Sequence, residues 1–153
     1  MAVTAAMFGN WPAFILGDPT TPPTVVINLE TNNRCKTMLT TSTYSPVQDT
    51  HKVYTDVTNE VANGNGYTTT GAAMGTGTIT GPTTRVVTWD APDVTWSTST
   101  ITARRSVTYD DIDSTDRLIC WLDFGADVPS GGGDFKITWA AGGIFTITVA
   151  ALA

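Results

Sequence analysis

The sequence predicts an all-β protein, an antiparallel β-sandwich or jelly-roll-like domain with at most one or two short helices. Threonine makes up about a fifth of the 153 residues, and valine and isoleucine are frequent, a composition that favours pleated strands. The 14 glycines provide tight turns. Short runs of strand-forming residues recur at near-regular spacing, and each ends at Gly, Pro, Asp or Ser, which is the pattern of sandwiches and jelly rolls.

The strands can be placed one after another from residue 24 onward. Residues 24–30 and 34–41 flank a turn-forming segment at 31–33, so these two strands can form a hairpin. Residues 48–57 lack alternation and begin with residue types that cap helices, which predicts a short helix or an ordered loop. Further strands are predicted at 75–81, 85–90, 100–109, 117–124, 134–139 and 144–150, with a turn at 63–66. Residues 140–143 are predicted to be the hairpin turn between the last two of these strands.

Residues 1–23 form a predicted N-terminal arm, and residues 24–153 form a single β domain. Four prolines prevent a long helix in this extended arm, although it is rich in apolar residues. Such an arm either packs across the domain or covers a neighbouring subunit. For the second case, the candidate inter-subunit contacts are Phe8, Trp11, Phe14, Ile15 and Leu16.

Charge and apolar patterning exclude several partners. The net charge of −6, with only 8 Lys and Arg residues, repels phosphate, so we expect no nucleic-acid partner. No apolar run is long enough to span a membrane, and no basic residue precedes an apolar run at the amino terminus, so we expect neither a membrane partner nor a secretion signal. Cys35 and Cys120 lie in strand runs and are predicted to be buried free thiols of a chain folded in a reducing cytoplasm.

The residue types that carry catalysis are sparse. His51, flanked by Asp49 and Asp56, is the only histidine, and no serine or cysteine elbow accompanies it. We therefore expect His51 to pin its loop by a hydrogen bond. Two distant cysteines and one histidine do not make a zinc site, and no glycine-rich phosphate loop precedes a helix. The protein is predicted to be no enzyme and to need no cofactor or metal.

An acidic run at residues 109–116 leaves one metal alternative open. Asp111, Asp113 and Asp116 offer oxygens to calcium, but an EF-hand loop that starts at Asp111 has Asp116 in place of glycine and Leu122 in place of glutamate. A solvated turn is the preferred interpretation, and an irregular calcium site is the alternative.

Five tryptophans raise the alternative of a sugar-binding platform. Trp89, Trp121 and Trp139 lie within predicted strands, which favours core packing. Trp96 follows Pro92 closely and is expected to lie nearest the surface.

Several segments in the same order resemble a family of small virion-associated proteins of tailed bacteriophages. They are LTTSTYSPVQDTH at 39–51, DVTNEV at 56–61, GNGYTTTG at 64–71, DVTW at 93–96, STITAR at 99–104, LDFGAD at 122–127 and FKITW at 135–139. The likeness covers roughly residues 36–150. The Pro-rich segment 11–24 departs from it, because the relatives have a more regular helical lead-in there.

The resemblance implies a coat-associated part of a virion, assembled in the cytoplasm of the host bacterium. In the preferred interpretation it is a head decoration or cement protein, a homotrimer that binds the major capsid protein. Such a protein would stabilise the shell by repeated contacts and without chemistry. The alternatives are a tail, neck or fibre component, or a receptor- or carbohydrate-binding module.

Overall fold

A computed structural model describes residues 3–9, 11–12, 28–81, 83–111 and 116–150. Within these ranges the chain is built from short strands, and one turn of 3-10 helix spans Tyr54–Asp56. The strands are β1 (Thr4–Met7), β2 (Cys35–Thr40), β3 (Ala72–Ala73), β4 (Thr78–Thr80), β5 (Val86–Asp90), β6 (Val94–Trp96), β7 (Thr102–Asp110), β8 (Arg117–Pro129), β9 (Phe135–Ile137) and β10 (Phe145–Thr148).

The strands form one large and two small sheets. The large sheet has the order β1-β8-β7-β2-β3, and the small sheets have the orders β10-β5-β4 and β6-β9. Every strand pair is antiparallel. The prediction of an all-β, antiparallel sandwich-like domain is therefore confirmed.

Both faces of the five-stranded sheet are covered. Because neighbouring strand residues point to opposite faces, Met38 and Leu39 of β2 enter different clusters. Leu39 packs in the core between the large sheet and the two small ones, together with Trp89, Trp96, Ile119 and Phe135. Met38 packs on the opposite face with Phe8, Tyr44, Val107, Tyr109 and Leu118. A sheet that is buried on both sides makes a stiff scaffold.

A buried ion pair closes one end of this sheet. Arg34 lies directly before β2, and Asp110 is the last residue of β7. The guanidinium donates from Nε to Oδ1 at 2.9 Å and from Nη2 to Oδ2 at 2.6 Å. The two side chains are 3% and 0% exposed. The hydrogen bonds in the pair satisfy charges that would otherwise be costly to bury.

The pairing register of β7 with β8 shifts between Ala103 and Arg105. The Asp123 side chain of β8 stabilises this irregularity. The Asp123 carboxylate accepts a hydrogen bond from Arg104 Nε at 2.6 Å and lies 2.9 Å from Arg105 Nε. It also accepts from the Gly125 amide at 2.8 Å. Burial raises the pKa of Asp123, but these hydrogen bonds and positive charges outweigh burial and lower its pKa overall.

A half-buried carboxylate ties the long connection after β2 to the sheet. Glu60 Oε1 accepts from the Tyr67 hydroxyl and from the Thr70 amide, each at 2.7 Å. Glu60 Oε2 accepts from the Tyr54 hydroxyl at 2.7 Å. The Tyr67 hydroxyl in turn accepts from the Leu39 amide at 3.0 Å. The connection is thus fixed by side chains and by one backbone bridge between Thr40 and Glu60.

Two predicted hairpins are wrong. The predicted strand at 24–30 ends in a turn at residues 28–30, its residues 24–27 lie outside the described residues, and β2 pairs with β3 and β7. The strands on either side of residues 140–143 do not pair with each other, because β9 pairs with β6 and β10 pairs with β5. The short strands β3 and β6 were not predicted.

The separation of an N-terminal arm needs a correction in its described part. Thr4–Met7 form β1, an edge strand of the five-stranded sheet that pairs with β8. The Phe8 amide continues this pairing by donating to the Ile119 carbonyl at 3.1 Å. Residues 3–9 therefore belong to the β domain. The remainder of the predicted arm, apart from Trp11 and Pro12, lies outside the described residues.

Candidate functional site

Two of the predicted inter-subunit contacts lie inside the protein's own core. Phe8 is 0% exposed and Trp11 is 1% exposed. Phe8 packs under the loop that carries Tyr44, and Trp11 joins the cluster between the sheets. Neither side chain has exposed surface that a neighbouring subunit could contact, so the structure does not support Phe8 or Trp11 as an inter-subunit contact. Phe14, Ile15 and Leu16 lie outside the described residues.

His51 is held by its own loop. Its Nδ1 atom lies 2.9 Å from the Tyr44 hydroxyl and accepts from the Val47 amide at 3.4 Å. The two rings stack with centroids 5.6 Å apart. Burial, followed by the charge of Asp56, raises the pKa of Tyr44 to about 12. The imidazole therefore holds its loop in place by hydrogen bonds, as the sequence predicts.

The two thiols are poor nucleophiles. Cys35 and Cys120 are free and buried, as the sequence predicts. Burial raises the pKa of Cys120 to about 12, and burial together with the charge of Asp110 raises the pKa of Cys35 to about 12. Because the thiolate is the reactive species, both side chains serve as small core residues.

Several acidic side chains are engaged in ion pairs. Asp111 lies 2.5 Å from Lys36 Nζ, and Asp93 lies 2.9 Å from Lys136 Nζ. The described residues contain no group of three His, Cys, Asp or Glu side chains that could hold a metal ion. Residues 112–115, which include Asp113 of the calcium alternative, lie outside the described ranges.

The tryptophans do not form an exposed platform. Trp89 is 2% exposed and donates from Nε1 to the Leu29 carbonyl at 3.3 Å. Trp96, which the sequence placed nearest the surface, is buried between Tyr67 and Phe135, each with ring centroids 6.0 Å away. That prediction is wrong, because Val94 and Trp96 form the inward face of β6. Trp121 and Trp139 are half-buried.

The most conspicuous surface feature is apolar. Ile79, Ile147 and Val149 are 37%, 42% and 64% exposed. Ile79 of β4 and Ile147 of β10 lie on the face of the three-stranded sheet that also carries Val87 and Trp89, and Val149 directly follows β10. We call these three residues the apolar end. They account for three of the six exposed large hydrophobic residues in the described part of the chain, whereas Val86 points to the opposite face of the same sheet.

The pairing of the three strands explains why the apolar end is exposed. Phe145 lies opposite Trp89 and packs against the core, whereas Ile147 lies opposite Val87 further along the same strands. The three-stranded sheet thus extends beyond the core that covers its inner face. A groove of about 210 Å³ runs along this extension, and its walls include Trp11, Leu29, Val87 and Phe145.

The strand at the border of this surface has no protective charge. β10 is an edge strand, and residues 143–150 contain no charged residue and no proline. Natural proteins usually protect an exposed edge with lysine, proline or a bulge. On the other side of the sheet, Glu30 accepts from the Ile79 amide at 3.1 Å and so covers the edge of β4. Among the described residues, the edge of β4 is therefore covered and the edge of β10 has no strand partner.

Comparison of the chain with models of known protein families, with curated proteins and with solved structures gave no significant match. Within the described residues, no helix has the length and apolar character needed to cross a membrane.

Proposed function

We propose that the protein is a non-enzymatic structural component of a tailed-bacteriophage particle, and that it acts as a head decoration protein on the major capsid protein. The observation that carries this proposal is the apolar end, where three large hydrophobic side chains are exposed together beside an apolar groove. Concentrated apolar surface of this kind is typical of a site of contact with another protein.

The net negative charge of the chain favours contact through a surface that carries no charge. Each copy has a net charge of −6, so closely packed copies repel one another wherever their acidic surfaces meet. The apolar end offers contact without this repulsion. Apolar surface that is buried on association contributes about 25 cal/mol per Å². The free energy of a modest contact adds up when many copies bind one shell.

The interior of the protein supports a mechanical role. The five-stranded sheet is packed on both faces, and the described thiols and the imidazole are buried or engaged in hydrogen bonds. A body of this kind resists deformation and offers no activated nucleophile. The resemblance to virion-associated proteins supports the same assignment, with assembly as a homotrimer in the host cytoplasm and a final place in the virion.

Binding to capsids that lack decoration tests the proposal. Ile147 in the apolar end and Val47 in the loop over the opposite face of the large sheet are 42% and 46% exposed, so Ile147→Asp and Val47→Asp form a matched pair with the same change of charge. Burial of the remaining isoleucine surface is worth about 1 kcal/mol, and its loss weakens each contact about fivefold. We expect Ile147→Asp to weaken co-sedimentation with capsids and Val47→Asp to bind like the natural protein.

Urea unfolding curves of both variants separate a loss of contact from a loss of fold, and light scattering of the natural protein tests the homotrimer. Equal capsid binding by Ile147→Asp and Val47→Asp would show that the apolar end is not the contact surface. A natural protein that ignores such capsids altogether would overturn the assignment to the head.

A further inference from the structure

The turn that precedes Tyr67 contains two Asn-Gly pairs in succession. Gly64 and Tyr67 bridge each other through two backbone hydrogen bonds, from the Gly64 amide at 2.8 Å and from the Tyr67 amide at 2.9 Å. Asn65 and Gly66 form the tip, with φ angles of 53° and 85°. Positive φ at both central residues is the requirement of a type I′ turn. All four residues of 63–66 are exposed.

We propose that Asn65 is a site of spontaneous deamidation and that the fold protects the chemically equivalent Asn63. In this reaction the Gly66 nitrogen attacks Cγ of Asn65, a new N–Cγ bond forms, and the Cγ–Nδ2 bond breaks. The amide proton of Gly66 is transferred to Nδ2 of Asn65, which leaves as ammonia. Water then opens the cyclic imide at either carbonyl, which gives aspartate or isoaspartate at position 65.

The backbone amide of the following glycine decides between the two sites. Deprotonation of this amide begins the attack, and a hydrogen-bonded amide is protected from loss of its proton. The Gly64 amide, which would attack Asn63, donates to the Tyr67 carbonyl. The Gly66 amide makes no hydrogen bond to any described residue.

The side-chain hydrogen bonds of the two asparagines also favour reaction at Asn65 over reaction at Asn63. Asn63 Oδ1 accepts from the Thr69 amide at 3.3 Å, which holds the carboxamide away from the Gly64 nitrogen. The Asn65 side chain makes no hydrogen bond within the described part of the chain, while its backbone carbonyl accepts from the Thr100 amide at 2.9 Å. Reaction at Asn63 therefore requires two hydrogen bonds to open, and this slows it by roughly fivefold or more.

The modification has a structural consequence because the turn positions Tyr67. An isoaspartyl residue lengthens the main chain and carries a negative charge. A longer tip displaces the Gly64–Tyr67 bridge, and the Tyr67 hydroxyl contacts both Glu60 and the Leu39 amide. Deamidation at Asn65 thus weakens the attachment of this connection to β2.

Peptide mapping by mass spectrometry tests the assignment. The full chain is kept in mildly alkaline buffer, folded in one sample and unfolded in urea in the other, and each Asn-Gly pair is followed over time. We expect Asn65 to deamidate at least about fivefold faster than Asn63 in the folded sample and both to react at similar rates in urea. Asn65→Asp, which tolerates positive φ, is expected to abolish most of the modification of the folded protein.

Hydrogen exchange gives an independent readout, with fast exchange expected for the Gly66 amide and slow exchange for the Gly64 amide. Equal or faster deamidation at Asn63 in the folded protein would overturn the inference. A folded sample in which Asn65 reacts no faster than the asparagines outside Asn-Gly pairs would overturn it as well.

Discussion

Replacing Asp110 by asparagine is expected to destabilise the protein severely, because the change replaces the carboxylate that pairs with the buried Arg34 guanidinium by a neutral amide. The pair is bidentate, at 2.9 and 2.6 Å, and its side chains are 3% and 0% exposed. Breaking a buried pair by neutralising one partner costs about 3–5 kcal/mol. This is a large share of the roughly 5–15 kcal/mol that stabilises a typical domain.

The neighbouring residue provides a matched control. Asp111 pairs with Lys36 at 2.5 Å, but these side chains are 28% and 27% exposed. An exposed pair contributes at most about 1 kcal/mol, so Asp111→Asn should have little effect. Both variants carry the same substitution and the same change of charge.

Equilibrium unfolding in urea, followed by tryptophan fluorescence, measures how much unfolding free energy each variant loses. With a slope of about 2 kcal/mol per M, Asp110→Asn should lower the midpoint by roughly 2 M and Asp111→Asn by less than about 0.5 M. If Asp110→Asn does not fold, the double variant Arg34→Met with Asp110→Leu should recover folding, because an apolar pair of similar volume removes the buried charge. A loss for Asp110→Asn no larger than that for Asp111→Asn would refute the reasoning.

Three further predictions follow from the interior and the turns. Cys35 and Cys120, whose pKa values are raised to about 12, should not react with a thiol reagent at neutral pH until urea unfolds the chain; rapid reaction of the folded protein would contradict their burial. The lowered pKa of Asp123 implies stability that is present above its ordinary pKa and lost as the pH falls through the folded value. The difference in unfolding free energy between the natural protein and Asp123→Asn should therefore be constant near neutrality and close below about pH 4, whereas a difference that persists in acid would argue against these ion pairs. Gly71→Ala should destabilise far more than Gly131→Ala in the same urea assay. Both glycines have positive φ, which costs about 1–2 kcal/mol, but a Cβ at Gly71 meets a backbone oxygen of β2 at 2.1 Å, while a Cβ at Gly131 meets no atom within 4 Å.

The longer strands were predictable because their residues alternate or are β-branched over enough positions. β2, β5 and β7 lie within or close to the predicted ranges, and the Asn-Gly turn at 63–66 is where the sequence places it. β1 was missed because its sequence, Thr-Ala-Ala-Met, has little intrinsic strand preference. Its conformation follows from pairing with β8, which is a contact between residues more than a hundred positions apart.

Strand partners were harder to predict than strands. Neighbours in sequence often pair, and this tendency suggested a hairpin across residues 140–143. Instead, Phe145 pairs opposite Trp89, and Phe135 pairs opposite Trp96. These aromatic residues fill the core between the sheets, so burial of large side chains decides the partners, and that choice cannot be made from local sequence.

The candidate surface was not predictable for a similar reason. The alternation in residues 143–149 indicates one apolar face, but only the structure shows where the core ends and leaves Ile147 exposed. Conversely, Phe8 and Trp11 looked like surface contacts because no partner for them was evident in the sequence. In the structure, Phe8 packs against the loop that follows β2, and Trp11 packs in the core between the sheets.

We propose that this protein is a structural part of the head of a tailed bacteriophage. Antibodies raised against the purified chain, applied to tailed-phage particles whose genome carries its gene and viewed by electron microscopy, test this proposal most directly. The account predicts regular labelling over the whole head surface. Labelling confined to tails, necks or fibres, or particles that carry no label, would contradict it.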